Sequence, residues 1–415
     1  MSEKNNKYTP NLRFPEFTGE WEEKKLGEVG YFVRGLSYNK SDVTEDASST
    51  LVIRSNNIIQ DSAVDCINGL QYVTKTPSEE QQLEKGDIVI CLANGSSNLV
   101  GKTSSFNGNY TGVVTVGAFC GIFRSSLPIC KYLVQTSAYK NKINLIKQGG
   151  NGALANLYGK DILGLSFFIP TAPEEQQKIA SCLSAMDDLI AAQAEKVEAL
   201  KEKKTGLMQQ LFPQPGEITP RLRFPEFTGE WEVKKLGEMA SSFSGGTPKS
   251  SESKYYGGDI PFIRSGEIHG CKTELYITEE GLNKSSAKLV SKGDLLIALY
   301  GATSGEVAIS KIDGAINQAI LCVRSQSINS NYLCNYLEYK KDTITSKFLQ
   351  GGQGNLSNDI IMSLNIPSPS PAEQQKIASC LSALDDQIAA ETEKLTALKD
   401  YKKGLMQQLF PQPAK

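Results

Sequence analysis

Three groups of residues in this chain have types and spacings that chemistry could use. Gly95 to Thr103 reads GSSNLVGKT, close to the glycine-rich loop that cradles a nucleotide phosphate beside a lysine. That loop needs four residues between its glycines so that the backbone amides close on the phosphates. Here Ser96 to Val100 make five, and the corresponding stretch later in the chain, Gly305-Glu306-Val307-Ala308, has no lysine. Asp187-Asp188 and Asp385-Asp386 are paired carboxylates of the kind that bind metal ions. On a helix, however, adjacent side chains point about 100° apart and do not converge. They read as a solvated or partner-facing helix flank. The single histidine, His269, has no counterpart in the first half, which excludes histidine acid–base catalysis repeated in both halves. No Asn/Asp-Pro-Pro-Tyr/Phe motif and no cofactor loop opening a dinucleotide fold occur. No catalytic residue and no metal site are assigned.

The third group survives. Two short strand signals, LVIR and PFIR, run into Arg54-Ser55-Asn56-Asn57 and Arg264-Ser265-Gly266-Glu267. Two glycine-rich loops carry Gln148 and Asn151, with Lys147 adjacent, and Gln350 and Gln353. Arginine and lysine read guanine, and asparagine and glutamine read adenine, in the major groove of DNA. The candidate DNA-contacting residues are therefore Arg54, Asn56, Asn57, Lys147, Gln148, Asn151, Arg264, Glu267, Gln350 and Gln353. The formal net charge is −2, so any such contact comes from local patches and not from a global basic field.

The elements that position these loops are written twice. Leu12–Glu28 and Leu222–Glu238 agree at sixteen of seventeen positions, and Pro173–Pro215 and Pro371–Pro413 agree at 33 of 43. The stretches between, Val29–Ala172 and Met239–Ser370, share scattered echoes, such as KGDIVICLA against KGDLLIALY. A repeated frame with divergent filling presents one surface twice and reads two different things. Ile179, Leu183, Met186, Ile190, Gln193, Val197, Leu200, Lys204, Leu207 and Leu211 follow a 4-3-4-3 spacing, repeated from Ile377 to Leu409. That is a coiled-coil seam with polar interruptions, and two equal seams in one chain pack most simply on each other. Thr171-x-x-Glu174 and Ser370-x-x-Glu373 read as capping boxes. Gly206 and Gly404 mark either a close partner or a break in each helix. Trp21 and Trp231, with the phenylalanines beside them, read as an apolar strap docked on the frame. Strand signals fill the divergent regions. The division expected is 1–172 and 216–370 as strand-rich domains and 173–215 and 371–415 as long helices. The scattered cysteines, the absence of an apolar signal segment and the absence of a membrane-length run fit a reduced, cytoplasmic protein.

At this point the chain resembles the DNA specificity subunit of type I restriction–modification systems. The matching pieces are Trp21…Lys25-Leu26-Gly27-Glu28, Ile53-Arg54, Gly86-Asp87, Gln148-Gly149-Gly150 and Ile169-Pro170…Glu175-Gln176-Gln177-Lys178-Ile179. They recur as Trp231…Leu236-Gly237-Glu238, Ile263-Arg264, Gly293-Asp294, Gln350-Gly351-Gly352 and Ile366-Pro367…Glu373-Gln374-Gln375-Lys376-Ile377. The resemblance implies an α+β fold with two globular strand-rich target recognition domains separated by two long antiparallel coiled-coil helices, related by an internal pseudo-twofold repeat. It implies a non-catalytic subunit that reads a split asymmetric site on double-stranded DNA. Two adenine-N6 methyltransferase subunits and then restriction subunits bind the frame. S-adenosylmethionine, ATP and magnesium belong to those partners, and the chain itself holds no cofactor. Trp21, Trp231, Gly206 and Gly404 are the candidate partner contacts. The competing expectations are a coiled-coil scaffold whose globular domains bind protein or glycan, and a nuclease with a cryptic site.

Overall fold

The computed structural model describes residues 9–148, 156–214, 216–325, 327–349 and 355–411. They pack as two compact units, Met1–Ala192 with Leu395–Lys415, and Gln193–Lys394. The division by packing therefore differs from the linear one at 172, 215 and 370. Each unit takes part of both long helices, Pro173–Leu211 and Pro371–Leu409.

Each unit repeats one α+β topology. In the first, Gly30–Arg34, Cys120–Ser125, Ile88–Cys91 and Thr103–Ser105 form an antiparallel sheet in that order. A second sheet runs Val43–Thr44, Tyr72–Val73, Thr50–Ile53, Val114–Val116, with the last two strands parallel. The second unit has Ser241–Ser244, Ile320–Arg324, Leu295–Ala298, Val307–Ile309 in one sheet. Its other sheet runs Leu275–Ile277, Tyr256–Ile263, Gly314–Ile316, Lys288–Val290, with the equivalent parallel pair now central because Lys288–Val290 adds at its edge.

The apolar run after each Lys-Gly-Asp becomes a strand buried on both faces. Ile88 and Ile90 face the core shared with the helices, while Val89 and Cys91 face the core between the sheets. Leu295 and Ile297, against Leu296 and Ala298, divide in the same way. The Asp of the motif is the lock of that hairpin. Asp87 accepts two bonds from Arg124, at 2.8 and 2.7 Å, and Asp294 accepts two from Arg324, at 2.9 and 2.6 Å.

Both long helices run unbroken for 39 residues, straight through Gly206 and Gly404. Within each unit the helical segments pair antiparallel. Ile179 and Leu183 share a core with Met406, Leu409 and Phe410 in the first unit, and Ile377 and Leu381 share one with Met208, Leu211 and Phe212 in the second. The polar seam positions are paired. Lys204, 8% exposed, bonds Asp385 and Glu338 at 2.8 Å each, and Lys402, 7% exposed, bonds Asp187 at 2.5 Å and Gln135 at 3.2 Å. Gln193 donates to Glu391 at 2.8 Å. A bond from Lys196, then those from Gln193 and Lys394, pull the Glu391 carboxyl down to about 2. Asp187 and Asp385 thus lie on a partly solvated flank and also bridge the two helices, while Asp188 and Asp386 stay exposed. A polar partner at a seam position fixes register.

The repeated strap explains the helix-entry motif residue by residue. Arg13 donates both arms of its guanidinium to Glu175, each at 2.7 Å, and the Trp21 indole donates to the same carboxylate at 3.2 Å. Arg223 and Trp231 do the same to Glu373, at 2.7, 2.8 and 3.3 Å. In the first turn of each helix Gln176 and Gln374 donate their side-chain amides back to a proline carbonyl, Pro170 or Pro369. Lys178 and Lys376 pair with Glu16 and Glu226 of the strap, and Ile179 and Ile377 enter the core. The strap also reaches the other helix: the Leu12 amide donates to the Gln408 carbonyl, and the Leu222 amide to that of Gln210, both at 2.9 Å.

This bonding changes two expectations. Thr171 gives its hydroxyl to the Glu20 carbonyl at 3.0 Å and caps nothing, so the first capping box is absent. Ser370 does accept from the Glu373 amide at 3.3 Å, but the Glu373 side chain is committed to the strap, so the second box is half formed. Among the described residues no helix is long and apolar enough to cross a membrane.

Arg13→Ala strands a carboxylate whose side chain is 1% exposed. The cost expected is about 3 kcal/mol, the low end for a stranded buried charge because Trp21 still donates. Thermal denaturation should show a clear drop, partly recovered in Arg13→Ala/Glu175→Gln. An unchanged melting temperature in the single variant would mean that the strap is not held by this pair.

Candidate nucleic-acid interface

In the first unit the parallel strands Thr50–Ile53 and Val114–Val116 end side by side, and the Gly117 amide donates to the Ile53 carbonyl at 2.9 Å. The chain leaves the first of them as a 3-10 turn, Ser55–Asn57, with Arg54 at its start. Asn94, three residues past the strand Ile88–Cys91 of the other sheet, donates to the Ser55 hydroxyl at 2.8 Å. Three strand ends thus converge on one edge. Lys147 joins them by donating to the Ser97 carbonyl at 3.0 Å, and Gln148, the exposed last residue of the helix Ser137–Gln148, follows it.

The side chains on this edge differ in freedom. Asn57, 1% exposed, accepts from the Arg54 amide and donates to the Asn68 carbonyl at 2.8 Å. Its amide holds the loop, so the structure corrects its expected base contact. Asn56 is exposed and touches only the Gly69 carbonyl, at 3.2 Å, among its described hydrogen bonds. Arg54 donates to the same carbonyl through Nη2 at 3.0 Å. Its Nε is the one buried side-chain nitrogen or oxygen among the described residues without a hydrogen-bond partner. A buried donor left unpaired is costly, and an incoming acceptor relieves it.

The second unit has the same edge with other contents. Arg264, again at the end of a parallel strand, is clasped by Glu267 through two bonds at 3.1 Å and by Glu274 at 2.5 Å. These bonds, Glu267 first, raise the guanidinium above its ordinary value. Burial works against the Glu267 charge, but Arg264 and two backbone amides outweigh it and hold the carboxyl below its usual range. His269 lies 3.3 Å from Glu306, which Lys341 also pairs. Asn151, Gln350 and Gln353 lie outside the described residues.

The model of the type I restriction modification DNA specificity domain matches residues 18–202 and again 228–400. The chain belongs to that family. A protein of Methanocaldococcus jannaschii described as the MjaX specificity subunit is 26% identical over 98% of this chain and 96% of its own length. The MjaIX type I specificity subunit of the same organism is 34% identical over 38% of this chain and 39% of its own. The crystal structure of a type I restriction–modification S subunit from M. genitalium shares the fold at a TM-score of 0.60, with 15% identity over 98% of this chain and 100% of that one. The chain is thus a type I specificity subunit.

For this specificity subunit the glycine-rich decoy is a packing device. Gly101 (φ +86°) would bring a Cβ to 2.4 Å from Ile143, and its equivalent Gly305 (φ +84°) to 2.7 Å from Thr345. The loop leads into the strand Thr103–Ser105, where a phosphate loop leads into a helix. Trp21 and Trp231, 5% and 3% exposed, belong to the core and not to a partner-facing surface. Gly206 and Gly404 have open space where a Cβ would stand. Sequence reasoning missed Asn94 and the turn at Phe119, although both sit directly beyond the matched strands.

Asn57→Ala should cost about 1–3 kcal/mol through the stranded loop carbonyl and amide. Asn56→Ala, at an exposed amide, should stay within about 0.5 kcal/mol. Thermal denaturation of the two variants separates them; equal melting points would remove the distinction between loop-holding and presented amides.

Proposed function

We propose that the two units each read one half of a bipartite asymmetric DNA site, and that the helical frame seats two adenine-N6 methyltransferase subunits, to which restriction subunits add. The observation that carries this reading is the contrast between frame and edge. The strap, the helix entry and the hairpin lock are the same bonds made twice. The strand-end loops keep the same 3-10 turn and change their side chains, with Arg54 and Asn56 in one and Arg264, Glu267 and Glu274 in the other.

A duplicated surface accommodates two copies of one partner. The outer faces of the helices around Gly206 and Gly404, left open by the chain, are where such a partner approaches closely. Base contacts come from Arg54, Asn56 and Gln148 in one unit and from the Arg264 loop in the other, with Lys147 toward phosphate. Asn151, Gln350 and Gln353 remain candidates on the same loops. The target adenine leaves the stack in the methyltransferase site, and S-adenosylmethionine, ATP and magnesium act on the partners.

The test is co-expression with the neighbouring methyltransferase in a methylation-free host, followed by genome-wide mapping of N6-methyladenine. The expected result is a split, asymmetric motif methylated on both strands. A soluble complex that adds no methylation, or methylates one continuous motif, contradicts the reading.

A further inference from the structure

The two most exposed large hydrophobic side chains among the described residues are Ile67, at 80%, and Phe119, at 72%. The first belongs to a loop bonded to Arg54–Asn57, the second to a turn bonded to the Ile53 carbonyl just before them. The Ile67 loop is held through the carbonyls of Asn68 and Gly69, which take the bonds from Asn57, Asn56 and Arg54. Phe119 stands on a tight turn in which the Cys120 amide donates to the Gly117 carbonyl at 2.8 Å. The Phe119 carbonyl accepts from the amides of Leu92 and Ala93, at 2.8 and 3.2 Å, so its backbone is pinned from both sides. The ring itself is turned out to solvent, on a turn whose Gly117 amide bonds the Ile53 carbonyl next to Arg54.

The geometry points to Phe119 as a wedge that enters a base step of double-stranded DNA, backed by Ile67. This rests on the DNA-reading edge proposed above. Unstacking a step costs a few kcal/mol, and proteins that do it use an apolar side chain on a rigid support beside polar groups that grip the backbone and base edges. Phe119 meets each requirement: a ring with two torsions to fix, a carbonyl held by two hydrogen bonds on a turn closed by a third, and Arg54 at the adjoining strand end. The second unit lacks the device. Its equivalent turn, Asn317–Ile320, carries Ala319, whose carbonyl accepts from Leu299 at 2.8 Å in the same way. Residues 269–274, after its reading turn, contain no large hydrophobic residue. The kink therefore belongs to one half-site, the one read by the first unit.

The test uses the complex of this chain with its methyltransferase on a duplex carrying the mapped site, with 2-aminopurine at each step of each half-site in turn. The wild-type complex should raise fluorescence at one step of the first unit's half-site, apart from the flipped adenine. Phe119→Ala should abolish that signal and weaken binding about tenfold, the scale of one lost base–aromatic contact. Phe119→Trp should keep the signal, and Ile67→Ala should reduce it. Signals in the other half-site should not change. A Phe119→Ala complex that binds and methylates like the wild type, or a wild type with no unstacked step beyond the target adenine, overturns the wedge while leaving the split motif standing. Loss of the methyltransferase from Phe119→Ala on gel filtration also overturns it, by placing the ring on a protein contact. A wild-type complex with no split motif removes the reading beneath it.

Discussion

A buried carboxylate at the start of each long helix organises everything around it. Glu175 and Glu373 are each almost wholly out of water, and a charge there survives only because an arginine fork and an indole meet it. Those partners come from 162 and 154 residues earlier for Glu175, and from 150 and 142 earlier for Glu373. The bond therefore closes the whole variable region into a loop anchored at one point. It sets the ribbons Trp21–Lys25 with Ser166–Pro170, and Glu232–Lys235 with Asn365–Ser368, and through them the sheets. The strap that supplies the arginine also bonds the end of the other helix, so helix start, helix end and domain root are one assembly in each unit.

With the root fixed, the far edge is free to vary. A reading surface needs side chains held to within a fraction of an ångström, and strand ends joined by backbone bonds provide that without dictating side-chain identity. The two edges use this freedom in opposite ways. Arg54 keeps an unpaired buried nitrogen, whereas Arg264 is closed in by two carboxylates. The first edge adds a presented aromatic ring; the second presents charge pairs. Such differences are what the proposed reading of two unlike half-sites from one frame requires.

Much of this was legible in the sequence where the signal is local or repeated. The 39-residue helices, the strands after Lys-Gly-Asp and the duplicated frame all follow from periodicity and self-similarity. What was not legible depends on partners far along the chain. Thr171-x-x-Glu174 has the spacing of a capping box, but its threonine serves Glu20 of the strap. Asp187 looks like a solvated flank until Lys402 arrives from the other helix. The two tryptophans, read as an apolar strap and also carried as partner contacts, are claimed by a carboxylate no local pattern reveals. At the reading edge, Asn56 and Asn57 are indistinguishable as letters; burial separates them. Phe119 carries no motif, and its exposure emerges only once its turn is folded.

The central claim is that one frame carries two exchangeable readers. Its most direct measurement replaces residues 239–370 with a second copy of 29–172 and maps N6-methyladenine made with the methyltransferase partner. The account predicts that the split asymmetric motif becomes an inverted repeat of the first unit's half-site. An unchanged asymmetric motif from a folded, methylating complex would contradict it.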